Sequence, residues 1–208
     1  MKKYIKGMII ILIFAAVLFM KNEENEEERI QKSIASHIIR LHVVANSDSE
    51  KDQQLKISVK DKIVAGLQEK LKDVDNLNDA RTIIRNETER IEQMATEEMR
   101  KQGYDYIATA SLGNSYFPIK KYGDLTFPAG EYEALRVQIG EAKGQNFWCV
   151  MYPTLCFVDS TYQVVPEESK EELKHTLTDE EYQALLGEDK SVSFGFKLLD
   201  WVDNLRQR

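Results

Sequence analysis

The chain has 208 residues, 42% of them hydrophobic and 30% charged, which is enough to bury the core of one globular domain. Only two cysteines occur, Cys149 and Cys156, which excludes a disulfide-dense scaffold and a four-cysteine zinc ribbon. Residues 1–20 hold three of the 28 basic residues and none of the 35 acidic ones, so residues 21–208 carry 25 against 35, a net charge of −10. So acidic a domain lacks the basic footprint that nucleic acid or anionic lipid requires.

The N-terminus predicts export. A basic head with Lys2, Lys3 and Lys6 precedes residues 7–20 (GMIIILIFAAVLFM), which contain no polar side chain. Basic residues resist translocation whereas an apolar run enters the bilayer, so residues 1–20 are predicted to be a signal peptide or a signal anchor. No small-x-small triplet ends the run, which leaves cleavage open, and residues 5–20 would contact the membrane only if they are retained.

An acidic spacer or helix is predicted over residues 21–36, followed by a single exported domain over residues 37–208. Alternating apolar residues over 37–45 predict a first strand. A helix follows over 50–71, where apolar residues recur every four positions, and a second is predicted over about 80–102. Asn76 begins the second helix as its cap, and Gly103 ends it.

The second half of the chain predicts mainly strands. Residues 104–112 alternate and lead to a turn signal at Gly113-Asn114, and a loop-rich stretch covers 116–130. Further strands are predicted over 132–139 and 147–152, joined by a hairpin loop. Two short helices near 166–174 and 178–181, a strand over 191–196 and an amphipathic stripe over 198–205 complete the chain. This order predicts an α+β fold with a mostly antiparallel sheet covered by helices.

Either cysteine could in principle be a nucleophile, with His37, His42 or His175 as its base. A reactive thiolate needs some exposure and a group that lowers its pKa, whereas Cys149 and Cys156 both lie in bulky, strand-like runs. We therefore predict structural cysteines and no catalytic residue. They form either a disulfide, which export permits, or a pair of buried free thiols. No histidines or cysteines have ligand spacing on one helical face, so neither a metal nor a cofactor is predicted.

Three separated motifs carry a family resemblance. The stretches HIIRLHVVANSD (37–48), FPAGEYEALRVQIG (127–140) and GQNFWCVMYPTLCF (144–157) resemble, in this order, the stage II sporulation protein R family of endospore-forming bacteria. The resemblance covers about residues 37–158, with a weaker match over 192–205. This chain has Phe147-Trp148 where the family commonly has paired tryptophans, and Thr154 where it usually has a second proline.

The resemblance implies a signalling protein and no enzyme. Members are made in the forespore and exported into the septal intermembrane space, where the protein is secreted or held by its N-terminal segment. The resemblance implies that there they activate a membrane-embedded aspartic protease of the mother cell, which leads to processing of the pro-sigma-E precursor. An exported cysteine-dependent hydrolase acting on cell-wall material and a structural septal protein are the alternatives.

A receptor-contact surface is expected in the second and third motifs. We predict that Asn146, Arg136 and Trp148 contribute to it, together with the loop residues Phe127, Pro128 and Gly130, because aromatic residues and arginine are enriched at binding hot spots. A core position for Trp148 is an equally good interpretation. Arg40 and Arg136 project from strands whose other face is apolar, so each could pair with an acid or with the partner.

Overall fold

The computed structural model describes residues 26–156 and 164–186. Its elements, in chain order, are α1 (26–35), β1 (Ile39–Val44), α2 (Glu50–Leu71), α3 (Leu77–Asn86), α4 (Thr88–Lys101), β2 (Ala108–Phe117), β3 (Lys120–Tyr122), β4 (Leu125–Phe127), β5 (Gly130–Ile139), β6 (Asn146–Tyr152), α5 (Glu167–Thr176) and α6 (Asp179–Leu186). The fold is α+β, as the order of sequence patterns predicts.

Several predicted features lie outside the described residues. These are the export segment over 1–20, the strand over 191–196 and the amphipathic stripe over 198–205. Within the described ranges, no helix combines the length and the apolar character that crossing a membrane would require.

The main sheet has four strands in the order β2-β5-β1-β6. Strand β1 pairs in parallel with β5 and antiparallel with β6, and β5 pairs antiparallel with β2. The sheet is therefore mixed, with two antiparallel pairings out of three. All six residues of β1 are buried, as expected for a central strand whose two faces are both covered.

The two faces of the sheet pack against different elements. Helices α2, α3 and α4 cover the first face, where Leu41 and Val43 of β1 join a large apolar cluster. On the second face, α1, α5, α6 and the β3–β4 hairpin enclose a smaller cluster that includes Phe117 and Tyr132. Because side chains alternate along a strand, Arg40 and His42 point to this second face.

The prediction of one helix over 80–102 is wrong. Helix α3 ends at Asn86 and α4 begins at Thr88. The Thr88 hydroxyl donates to the Arg85 carbonyl at 2.9 Å, a side-chain bond of the kind that competes with helical backbone bonds. The two termini are as predicted: Asn76 accepts from the Asp79 N–H at 3.0 Å, and Gly103, with φ of 83°, follows α4.

Two predicted turns are also wrong. Strand β2 continues through Gly113-Asn114 to Phe117, because its pairing with β5 over all ten positions overrides a local turn preference. Strands β5 and β6 form no hairpin, since β1 lies between them. Their loop instead crosses the end of β1, where the Gly144 N–H donates to the Ala45 carbonyl at 2.9 Å. The stretch predicted to be rich in loops contains the β3–β4 hairpin.

Candidate functional site

The structure brings three of the predicted contact residues together around His42 on the second face. Strand register places Arg136 on one side of His42 and Trp148 on the other, and Asn146 opposite Val44. Arg136 and Asn146 are exposed and Trp148 is half-buried. We call Arg136, His42, Asn146 and Trp148 the His42 surface.

His42 fixes its neighbours in this surface. Its ring stacks on Trp148 with centroids 3.8 Å apart and planes 18° from parallel. Its Nε2 lies 2.7 Å from Asn146 Oδ1, so the neutral ring donates Nε2–H to that amide oxygen. The surface is therefore held in place by stacking and a hydrogen bond before any partner arrives.

Electrostatics keep His42 uncharged. Burial lowers its pKa and the nearby Arg136 guanidinium lowers it further, against the raising effect of the hydrogen bond to Asn146. His42 is 7% exposed and its Nδ1 has no hydrogen-bond partner among the described residues. At neutral pH the charge of this surface therefore comes from Arg136.

Arg40 lies on the same face but is fully buried. Its guanidinium carbon sits 4.1 Å from the ring centroid of Phe117 and 4.8 Å from that of Tyr132. Arg40 Nη2 donates to the Tyr122 hydroxyl at 3.0 Å, and that hydroxyl donates to the Trp148 carbonyl at 2.9 Å. Neither alternative considered for Arg40 is observed: no ion pair within the described residues includes it, and the β3–β4 hairpin and the aromatic rings cover it.

The other three predicted contact residues do not join the His42 surface. Phe127 is fully buried in the smaller cluster. The Pro128 carbonyl accepts from the Tyr132 hydroxyl at 2.8 Å. Gly130 packs closely against Gln31 of α1, and it lies six residues from Arg136 along β5, a distance of about 20 Å. Of the three, Gly130 is the one that contacts α1, and it joins the start of β5 to that helix.

The two cysteines are bonded to each other, with a Cα–Cα distance of 5.3 Å. Cys149 lies opposite Leu41 in the first-face cluster, whereas His42 points to the other face. His175 is exposed on α5, and His37 lies 3.2 Å from Glu181. Among the described residues, then, no histidine stands beside a free thiolate, and no group of His, Cys, Asp and Glu could hold a metal ion.

Sequence reasoning missed the pairing of His42 with Asn146 and the enclosure of Arg40. The alternation over 37–45 puts Arg40 and His42 on one face, which is the part of the signal that the sequence contains. Their partners Tyr122 and Asn146 are 82 and 104 residues away, so only the tertiary fold identifies them.

The fold and the His42 surface together define the class of protein. It is a small α+β protein that presents an arginine (Arg136), an amide (Asn146) and a stacked indole (Trp148) side by side. Comparison with known proteins gives the family. The model of the family described as stage II sporulation protein R (spore_II_R) matches residues 35–162, more than half of the chain. The chain belongs to this family and is therefore a sporulation protein.

A curated relative agrees with this assignment. The chain is 32% identical over 212 aligned residues to "Stage II sporulation protein R" of Bacillus subtilis (strain 168), and the match covers 95% of each chain. No solved structure matches the chain.

Proposed function

We propose that this protein is an exported signal of endospore formation that activates a membrane-embedded aspartic protease and so leads to processing of the pro-sigma-E precursor. Membership of the stage II sporulation protein R family is the observation that carries the proposal. The apolar run over residues 7–20 behind a basic head supports export into the septal intermembrane space. In this proposal no step of chemistry belongs to the chain itself.

Activation in trans requires that the chain bind the active conformation of the protease more tightly than the inactive one. The His42 surface offers groups suited to this contact. Arg136 presents five guanidinium donors and Asn146 keeps its amide donors free of His42, so both suit carbonyl and carboxylate acceptors of a partner. Trp148 adds half-buried aromatic area that His42 already holds in place.

Co-expression tests the proposal. The chain, the candidate membrane protease and the sigma-factor precursor are produced together in a non-sporulating host, and precursor processing is followed by immunoblot. We expect processing that depends on all three proteins and disappears when residues 1–20 are deleted. Absence of processing with a folded and exported chain would contradict activation and favour a structural septal role.

Arg136→Gln tests the contact surface in the same assay. Arg136 is exposed, so the neutral variant should fold normally, and we expect processing to fall about tenfold, which corresponds to about 1.4 kcal/mol. Arg85→Gln is the matched control, because Arg85 is also exposed but belongs to α3 on the first face. Wild-type processing by Arg136→Gln, at equal amounts of exported protein, would remove Arg136 from the contact.

No observation favours the alternative of a cysteine-dependent hydrolase. Nucleophilic attack requires a thiolate, and the sulfurs of Cys149 and Cys156 are bonded to each other. The hydrolase would predict complete loss of function when either cysteine is replaced in a chain that still folds.

A further inference from the structure

Strand β2 forms one edge of the main sheet. It pairs with β5 over all ten residues, and no other strand of the described chain pairs with it. Its sequence, ATASLGNSYF, contains no charged residue and no proline. Natural edge strands are usually short, charged, bulged or interrupted by proline, because an open edge accepts further strands. An edge as long and neutral as β2 has the features of a strand that receives another.

The backbone of β2 is oriented for such an addition. The Ala110 N–H donates to the carboxylate of Glu92 in α4 at 2.8 Å, so it points away from β5. Successive residues of a strand alternate, and the pairing with β5 shows no bulge, so the N–H groups of Leu112, Asn114 and Tyr116 point the same way. At Ala110 the outward N–H therefore has an acceptor, the Glu92 carboxylate. For the other outward N–H groups of the edge, a neighbouring strand would supply the acceptors.

The chemistry beside the edge differs between its two ends. Next to Ala108, a groove between α4 and β2 is lined by Glu89, Glu92 and Glu97, with Arg100 as its basic residue. At the other end Tyr116 is 61% exposed and Ile119 66% exposed. Ile107, which is 73% exposed, also lines the groove, so an extended segment lying along the edge would meet acidic groups beside one apolar residue at this end and apolar groups at the other.

We infer that the outer edge of β2 binds an extended segment of a partner protein, by backbone pairing at residues 112–116, with basic side chains toward α4 and apolar side chains toward Tyr116. The identity of that partner, the membrane-embedded protease, rests on the proposed function. A second copy of the chain is a poorer occupant, because two domains of net charge −10 repel each other whereas a basic segment is attracted.

Substitution of Asn114 tests backbone pairing directly. Asn114→Pro removes an N–H that points away from β5, and proline is tolerated at such outward positions of edge strands. Asn114→Ala is the matched control, because it removes the same side chain and keeps the N–H. A photo-crosslinking amino acid replaces Tyr116 in the full chain, which is co-expressed with the candidate protease.

We expect a crosslink to the protease from the chain that retains Asn114 and from Asn114→Ala. The crosslink from Asn114→Pro should be about tenfold weaker. Equal crosslinks in the alanine and proline variants, or a crosslink to a second copy or within the chain itself, would overturn the inference. If Asn114→Pro does not accumulate, the double variant Glu89→Gln/Glu97→Gln tests the edge site instead. Both glutamates are exposed, and their neutralisation should weaken the crosslink several-fold without affecting folding.

Crosslinking and processing are read separately, so the inference and the proposed function can fail independently. A crosslink without processing by the wild-type chain would retain the edge site and reject activation. Processing without a crosslink at position 116 would retain activation and reject the edge site.

Discussion

Arg40 is the least expected residue of this structure at the scale of single side chains. It is buried, and none of the ion pairs within the described residues includes it. Burial lowers its pKa, while Tyr122 and Tyr132 act in the opposite direction. One hydrogen bond and several ring faces stabilise the guanidinium, whereas Nε and Nη1 have no hydrogen-bond partner there. These contacts offset only part of the free-energy cost of removing the guanidinium charge from water.

Replacement of Arg40 by methionine should therefore leave the free energy of unfolding unchanged within about 1 kcal/mol or raise it, because a similar volume is kept and the poorly solvated charge is removed. Arg40→Ala should lower it by about 3 kcal/mol, since it leaves a cavity among aromatic rings. Urea unfolding of the two variants measures the difference. Equal destabilisation by methionine and alanine would show that the ring faces compensate the charge fully.

At the scale of elements, Glu181 connects the two ends of the described chain. Its carboxylate accepts the Thr178 N–H at 2.7 Å and so caps α6, while Ser33 and His37, at the end of α1, approach the other oxygen. Burial raises the pKa of Glu181, but the hydrogen bonds from Ser33 and Thr178 outweigh it and leave this pKa below its ordinary value of 4.5. The ionised form is thus the one that joins α1 to α6.

This shift predicts how stability depends on pH. A carboxyl group with a lowered pKa in the folded state stabilises the fold above its ordinary pKa of 4.5, and this contribution is lost as the pH falls through the lowered value. Glu181→Gln should lower the free energy of unfolding by about 1–2 kcal/mol at pH 7 and flatten its decline below pH 4.5.

Glu180→Gln provides the control for this comparison. Glu180 pairs with Arg29 at the surface, where ion pairs contribute little, so its loss should change the free energy of unfolding by less than about 0.5 kcal/mol. Identical pH profiles for the wild type and Glu181→Gln, measured by urea unfolding, would contradict the role given to Glu181.

At the scale of the whole molecule, the disulfide ties the middle of β6 to the turn that follows this strand. Cys149 and Cys156 close a short loop, and both are buried in the first-face cluster. A bridge across so short a loop contributes about 2–3 kcal/mol, mainly by restricting the unfolded chain. Such bonds persist in oxidising compartments.

A thiol count checks this bridge. In denaturant without reductant the purified chain should show no free thiol, and two should appear after reduction. The double variant Cys149→Ala/Cys156→Ala should lose about 2–3 kcal/mol of unfolding free energy and still support precursor processing at a temperature where it folds. Two free thiols in the unreduced chain would contradict the bridge, and a folded variant without activity would reopen a chemical role for the sulfurs.

Features that depend on neighbours along the chain could be predicted from the sequence alone. Alternation located β1 and β5, a bulky apolar run located β6, the four-residue period located α2, and Asn76 and Gly103 marked helix ends, because strand, helix and cap preferences act over a few residues. The three motifs identified the family. Which strands are neighbours emerged only from the folded structure, because pairing joins residues far apart along the chain. Strand β2 continues through Gly113-Asn114 because its hydrogen bonds to β5 outweigh the local turn preference. The folded structure also separated Phe127, Pro128 and Gly130 from Arg136, Asn146 and Trp148: burial depends on which elements pack together, and no local pattern specifies that.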